Sequence, residues 1–153
     1  MSDSAPAGAG PATSNDRAVR VVGIVVAVLG AVFLVAGIVT YAVVSSTLAD
    51  QNITVSDDAA HFAGKDVKGP FTAYAQADII NKHALEIGGG KTYAELPQDD
   101  PNRDTVMTAS FLQASLFTSV VAFGVAAFVS VIGVVLMLLG WVLIRLARRP
   151  VVA

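Results

Sequence analysis

The chain has 153 residues, of which 54% are hydrophobic and only 14% charged, where ordinary soluble domains carry about a quarter charged residues. The net charge of −2 hides a segregation, with no basic face for nucleic acid, and the lack of cysteine excludes disulfide staples, thiol catalysis and Cys-ligated metal. The apolar residues are concentrated, because no charge falls between Val21 and Val44 or between Thr105 and Ile144, and each stretch exceeds the roughly 20 residues that span a hydrocarbon core.

In chain order, residues 1–16 read MSDSAPAGAGPATSND and offer nothing apolar enough to offset the entropy of ordering them, so a disordered cytoplasmic tail is expected. Arg17 and Arg20 then open a first transmembrane helix over 17–46. A secretory signal would also place basic residues here, with Thr47 and Ala49 in position for cleavage. The apolar run of 24 residues, however, is well beyond the usual h-region of about 7–15, which favours an uncleaved anchor. Within it Gly23, Gly30 and Gly37 recur every seven residues, with Ala27 between the first two, and the second apolar stretch repeats the device with Ser119, Ala126, Gly133 and Gly140. Seven residues return a helix almost to the same face, so each set forms a stripe of minimal side chains suited to close helix packing in lipid.

Residues 47–100 form the connecting loop. After an extended-looking QNITVSDDA, a helix over about 70–87 is expected, opened by Pro70 or Phe71 and ended by Gly88, Gly89 and Gly90. On a helical wheel Ala73, Tyr74, Ala77, Ile80, Ala84 and Ile87 share an apolar face, opposite Thr72, Gln76, Lys82, His83 and Glu86. Asp100 then reads as an N-cap and Pro101 as the first position of a second long helix, 101–146. At 1.5 Å per residue its length is about 70 Å, over twice the hydrocarbon thickness, so its first turns stand outside the membrane. Val106, Met107, Phe111 and Leu112 there are the natural partners of Tyr74, Ile80 and Ile87, giving a small extracytoplasmic cap. A basic tail, 147–153, follows.

The fold class read from this pattern is an all-α membrane protein, a two-helix hairpin with a helical cap. Arg17, Arg20, Arg145, Arg148 and Arg149 flank the outer ends of the hairpin and only Arg103 lies close on the loop side, which places both termini in the cytoplasm and the chain in the plasma membrane. Tyr41 and Trp141 suit the two interfacial belts.

Chemistry would have to come from the loop, since ionisable groups are missing from both spans, and that absence argues against transport by this chain alone. His61 near Asp57 and Asp58, and His83 near Asp78 and Glu86, are the residues from which a two-histidine, one-carboxylate iron site would be built, but their spacing carries no signature. The pairs Asp57 with Asp58 and Asp99 with Asp100 read as turn and cap residues. Gly88, Gly89, Gly90, Lys91 and Thr92 lack Walker spacing, so helix termination is the better account. Asn52, Ile53 and Thr54 form a glycosylation sequon on the side assigned to the exterior. No catalytic, cofactor or metal residues are assigned.

The stretches ADQNITVSDDA, GPFTAYAQADIINKHAL, GGKTYAELPQDDPNR and ASFLQASLFTSVVAFGV together resemble a family of small two-helix actinobacterial membrane proteins, over roughly Arg17 to Arg145. Members often carry the label "aromatic ring-opening dioxygenase, LigA type". That label reads as a misnomer for these residues, since the dioxygenase subunit is soluble and this chain shows no iron site. The resemblance implies a plasma-membrane protein and supplies no catalytic residues. The expectation is a non-enzymatic accessory or scaffold subunit whose partners are the lipid bilayer and a larger membrane assembly, with no nucleic acid and no cofactor. The alternatives are a self-associating structural protein or, less favoured, a metal-dependent activity in the loop.

Overall fold

The structure, a computed structural model, describes residues 14–148 and consists of three helices: α1 (Ser14–Asp50), α2 (Pro70–Ile87) and α3 (Arg103–Leu146). Among the described residues there is no strand, and α1 and α3 are each long and apolar enough to cross a membrane. The chain divides into two compact units, one joining Met1–Val35 to Ser130–Ala153 and the other made of Ala36–Val129.

In the first unit α1 and α3 meet along their glycines. A Cβ added at Gly30 would lie 2.6 Å from both the Gly133 carbonyl oxygen and the Met137 amide nitrogen. One added at Gly133 would lie 2.5 Å from the Leu34 amide nitrogen, and one at Gly140 2.5 Å from the Gly23 carbonyl oxygen. Backbone therefore touches backbone, which only a missing side chain permits. Away from this seam the helices present Val21, Val25, Val28, Val32, Val134 and Leu138, all exposed. Near the end of α3 the Arg145 guanidinium sits 4.6 Å above the Trp141 ring.

α1 departs from expectation at both ends. It begins at Ser14, inside the stretch expected to be disordered, and Asp16 supplies a negative charge in its first turn, where the helix dipole favours one. The rest of that tail expectation, and Arg149 with the end of the basic tail, lie outside the described residues. At the other end α1 continues past 46 to Asp50, because Ser46 and Thr47 donate their hydroxyls back to the Val43 carbonyl and do not compete for the chain ahead. The turn that follows holds Asn52, whose φ of 52° leaves the right-handed region and whose side-chain amide donates to the Asp50 carbonyl.

In the second unit Gly37 and Ala126 are buried, and the Tyr41 and Phe123 rings lie 4.7 Å apart. Residues 51–69 hold one isolated antiparallel bridge, Thr54 with Asp66, and fold Val55 and Val67 into the core, each burial worth about 1.5–3 kcal/mol. Ser45 Oγ donates to the Lys68 carbonyl at 2.7 Å, tying α1 to the entry of α2. There Gly69 is the N-cap and Pro70 the first helical residue, while Thr72 Oγ1 accepts the Gly69 N–H at 3.2 Å. α2 ends where Gly90 N–H reaches the Leu85 carbonyl at 2.7 Å and Gly89 N–H the Glu86 carbonyl at 3.3 Å. This Schellman closure needs the left-handed φ of 63° at Gly89, which glycine adopts without strain.

The buried face of α2 is turned from the one the wheel suggests. Ala73, Ala77 and Ala84 are buried, with Ile80 packed against the core, but Tyr74 and Ile87 are exposed, while Ile79 and Gln76, the latter expected on the polar face, are buried. Of the α3 residues expected to meet it, Val106 does so, while others stand in place of Phe111 and Leu112. Leu116, Phe123 and Val120 share a core with Ala73 and Ala77, and Val106 and Ala109 share one with Ala84 and Leu96, whereas Phe111 and Leu112 are exposed. Alanines on α2 set the reason: their short side chains let the helix sit close only where α3 supplies the bulk. Tyr74 remains at the rim, edge-on to Phe117 at 5.8 Å.

α3 begins at Arg103, two residues later than expected. The Asp100 carboxylate accepts the Asn102 N–H at 2.8 Å in a turn, and the Asn102 carbonyl accepts the Val106 N–H, so Asn102 stands at the N-cap position. Arg103 donates to the carbonyls of Tyr93 and Leu96 and lies 4.3 Å over the Tyr93 ring, clasping the segment that follows α2.

Candidate functional site

Two features of the second unit stand out: a hydrogen-bonded pair of Asp58 with His83 of α2, and a cavity between the three helices. The pair joins His83 Nε2 to Asp58 Oδ2 at 2.7 Å, across 25 positions of sequence. The hydrogen bond from His83 holds the Asp58 carboxyl below the ordinary aspartate range, with a smaller push in the same direction from Lys82. Both side chains are about half exposed, so the pair is a solvated surface contact.

The other candidates from the sequence are distributed differently than their spacing suggests. His61 is exposed and lies beside Phe62, Phe71 and Asp78, apart from the Asp58–His83 pair. Among the described residues no three His, Cys, Asp or Glu side chains gather where they could hold a metal ion. Asp100 is engaged in its turn. The glycine run closes α2, and the Thr92 N–H and hydroxyl beyond it both donate to Glu95 Oε2 at 2.8 Å. Those bonds hold the Glu95 carboxyl below its usual range and leave no open cradle of N–H groups for a phosphate. Asn52 of the sequon is exposed at the end of α1.

The cavity has a volume of about 650 Å³, within the range of small-molecule sites. Val43, Val44, Thr47 and Leu48 of α1 form one wall, and Leu112, Ser115, Leu116, Ser119 and Ala122 of α3 another. Gln51, Ile53, Gln76, Ile80 and Thr118 complete it, and no charged side chain lines it. Gln76 is its buried polar member, 8% exposed, and its Oε1 accepts the Ser56 N–H at 3.0 Å. Because a backbone N–H can only donate, that bond fixes the orientation of the amide, with the NH₂ as its other hydrogen-bonding end.

The sequence does not reveal this cavity. Gln76 sits at a helical position that reads as solvent-facing, and the hydroxyls of Ser115 and Ser119 interrupt an apolar run without a motif. In comparisons with protein-family models, with curated proteins and with solved structures, nothing matches this chain.

Proposed function

We propose that the chain is an integral membrane protein of two spans, with both termini cytoplasmic and residues 51–102 outside, acting without catalysis as an accessory or scaffold subunit of a larger membrane assembly. The observation that carries this reading is the exposed apolar surface of the long helices. Only 17% and 11% of the most apolar 18-residue windows of α1 and α3 are buried, whereas the core helix of a soluble protein is mostly covered. Lipid is the solvent in which such a surface is at rest. The backbone contacts of Gly23 and Gly30 with α3 further favour α1 as a retained span over a cleaved signal, since cleavage would strip α3 of its seam. A cap that leaves Phe62, Phe71, Tyr74, Ile87 and Phe111 exposed suits contact with a partner.

Two measurements test the two halves of the proposal. With no native cysteine, Lys65→Cys and Asp99→Cys, both at exposed positions, can be labelled without background. A membrane-impermeant thiol reagent should reach both in intact cells and spare Arg148→Cys. The reverse pattern overturns the topology. Mild detergent extraction and affinity purification should then recover a stoichiometric foreign membrane protein. Recovery of a pure homo-oligomer replaces the accessory role with self-association.

A further inference from the structure

We propose that the cavity between α1, α2 and α3 binds an acyl chain bearing an uncharged ester carbonyl, with the Gln76 amide donating to that carbonyl. The aliphatic part follows from the wall, where Val43, Val44, Leu48, Leu112, Leu116 and Ile80 dominate and no side chain offers a charge. A free carboxylate or phosphate seated there would be desolvated without a counter-ion, which disfavours it strongly. The carbonyl follows from Gln76. Its Oε1 is taken by the Ser56 N–H, and the NH₂ at the other end of the same amide is the hydrogen-bonding group that a ligand in the cavity can reach. Of the neighbouring hydroxyls, Thr47, Thr118 and Ser119 donate to the carbonyls of Val43, Ala114 and Ser115 on their own helices, which leaves Ser115 and the exposed Gln51 amide as further polar groups at the wall.

The depth of the cavity agrees with the same ligand, and here the inference rests on the membrane reading. From Arg20 to Tyr41 α1 rises about 31 Å, one hydrocarbon thickness. The cavity begins at Val43, and therefore lies in the layer just beyond, where the ester groups of glycerolipids reside. Such a chain can come sideways from a bilayer lipid or through water from a monoacylglycerol.

The full-length protein in phosphatidylcholine vesicles is photolabelled with a diazirine-bearing phosphatidylcholine and, separately, with a diazirine-bearing monoacylglycerol added from water, and the labelled peptides are mapped by mass spectrometry. Label should fall on residues 43–53 and 112–122. Ser119→Phe, which fills the cavity, should reduce it at least about tenfold, while Val125→Phe, at an exposed position outside it, should leave it unchanged. Gln76→Met removes the donor at similar volume without adding a charge, and should reduce label about fivefold, the worth of one ordinary hydrogen bond. Protease resistance of residues 51–102 is measured for each variant to show that the fold persists. Label from the phosphatidylcholine probe assigns the chain to the bilayer, and label from the monoacylglycerol probe alone assigns it to a water-borne source. Label spread evenly along α1 and α3 and indifferent to Ser119→Phe overturns the proposal. A failure of the membrane reading shows separately, as release of the protein by alkaline carbonate before any labelling.

Discussion

Residues 14–35 and 130–148 are held by what is missing from them, the side chains of Gly23, Gly30, Gly133 and Gly140, whereas residues 36–129 are held by what is present. The first unit has backbones in contact and no polar side chain at its glycine seam, so specificity there is steric and a substitution can act only by pushing the helices apart. The second joins Ser45 to Lys68, Gln76 to Ser56 and Arg103 to two carbonyls around a small core of alanines and valines. There a substitution acts by leaving a group unpaired or a core unfilled. Shape alone is enough where all partners are apolar, and partner identity is needed where water competes.

The largest expected effect breaks the second unit and spares the first. Ala77 is fully buried, and Ala77→Asp would place an uncompensated charge in the core at a cost of about 3–5 kcal/mol. Residues 51–102 should become protease-sensitive in vesicles while α1 and α3 stay membrane-embedded. Loss of both together would show that the units are one cooperative structure.

Breaking the first unit should cost somewhat less. Gly30→Leu would drive a side chain into the backbone of Gly133 and Met137, at about 3 kcal/mol or the upper range of overpacking, read as a lowered unfolding midpoint of the hairpin in bicelles. Val32→Leu, at an exposed position of the same helix, should change stability by less than about 0.5 kcal/mol. Equal effects would mean that the seven-residue spacing of glycine has no structural role.

The Arg103 clasp sharpens the contrast within the second unit. Arg103→Ala removes two charge-assisted bonds to backbone carbonyls and the contact with Tyr93, with an expected cost of about 2 kcal/mol. Hydrogen exchange should quicken between residues 91 and 102 and stay unchanged at residues 14–35. Arg103→Lys should recover only part of the loss, because an ammonium lacks the planar fork.

The smallest effect is the Asp58–His83 pair. Because the folded-state pKa of Asp58 is lowered, the contribution of its carboxylate is present above the unfolded aspartate range and is lost as pH falls through the folded value. Asp58→Asn should therefore lower the protease midpoint of residues 51–102 slightly at neutral pH, and the difference should shrink as pH falls through the folded value. A difference that persists in acid would assign the role of Asp58 to packing.

What the sequence discloses follows the same division. The glycine stripes are visible because the seam is periodic and local. Both ends of α2 are legible too, since Pro70 and the three glycines act on their own neighbours. The start of α3 is not, because Asp100 and Pro101 have the form of a cap, while the actual boundary depends on Arg103 reaching back to Tyr93 and Leu96. Gln76 and the Asp58–His83 pair are equally hidden, as their partners lie 20 and 25 residues away and no period connects them. Tyr74 and Ile87 mislead for a related reason: a wheel measures hydrophobicity and takes no account of the bulk available opposite.

The glycine seam resembles a ratchet with evenly spaced teeth. Gly23 faces Gly140 and Gly30 faces Gly133, but a slide of one heptad, about 10 Å, would again set glycine against glycine, Gly30 opposite Gly140 and Gly37 opposite Gly133. Nothing in the repeat itself distinguishes these settings. The contacts that do are the aperiodic ones, Tyr41 on Phe123, Ser45 on Lys68, and Leu48 sharing a core with Leu116. The alignment of the two spans is thus encoded outside the repeat, and separate α1 and α3 peptides in lipid, freed of residues 51–102, should cross-link in two settings where the intact chain shows one.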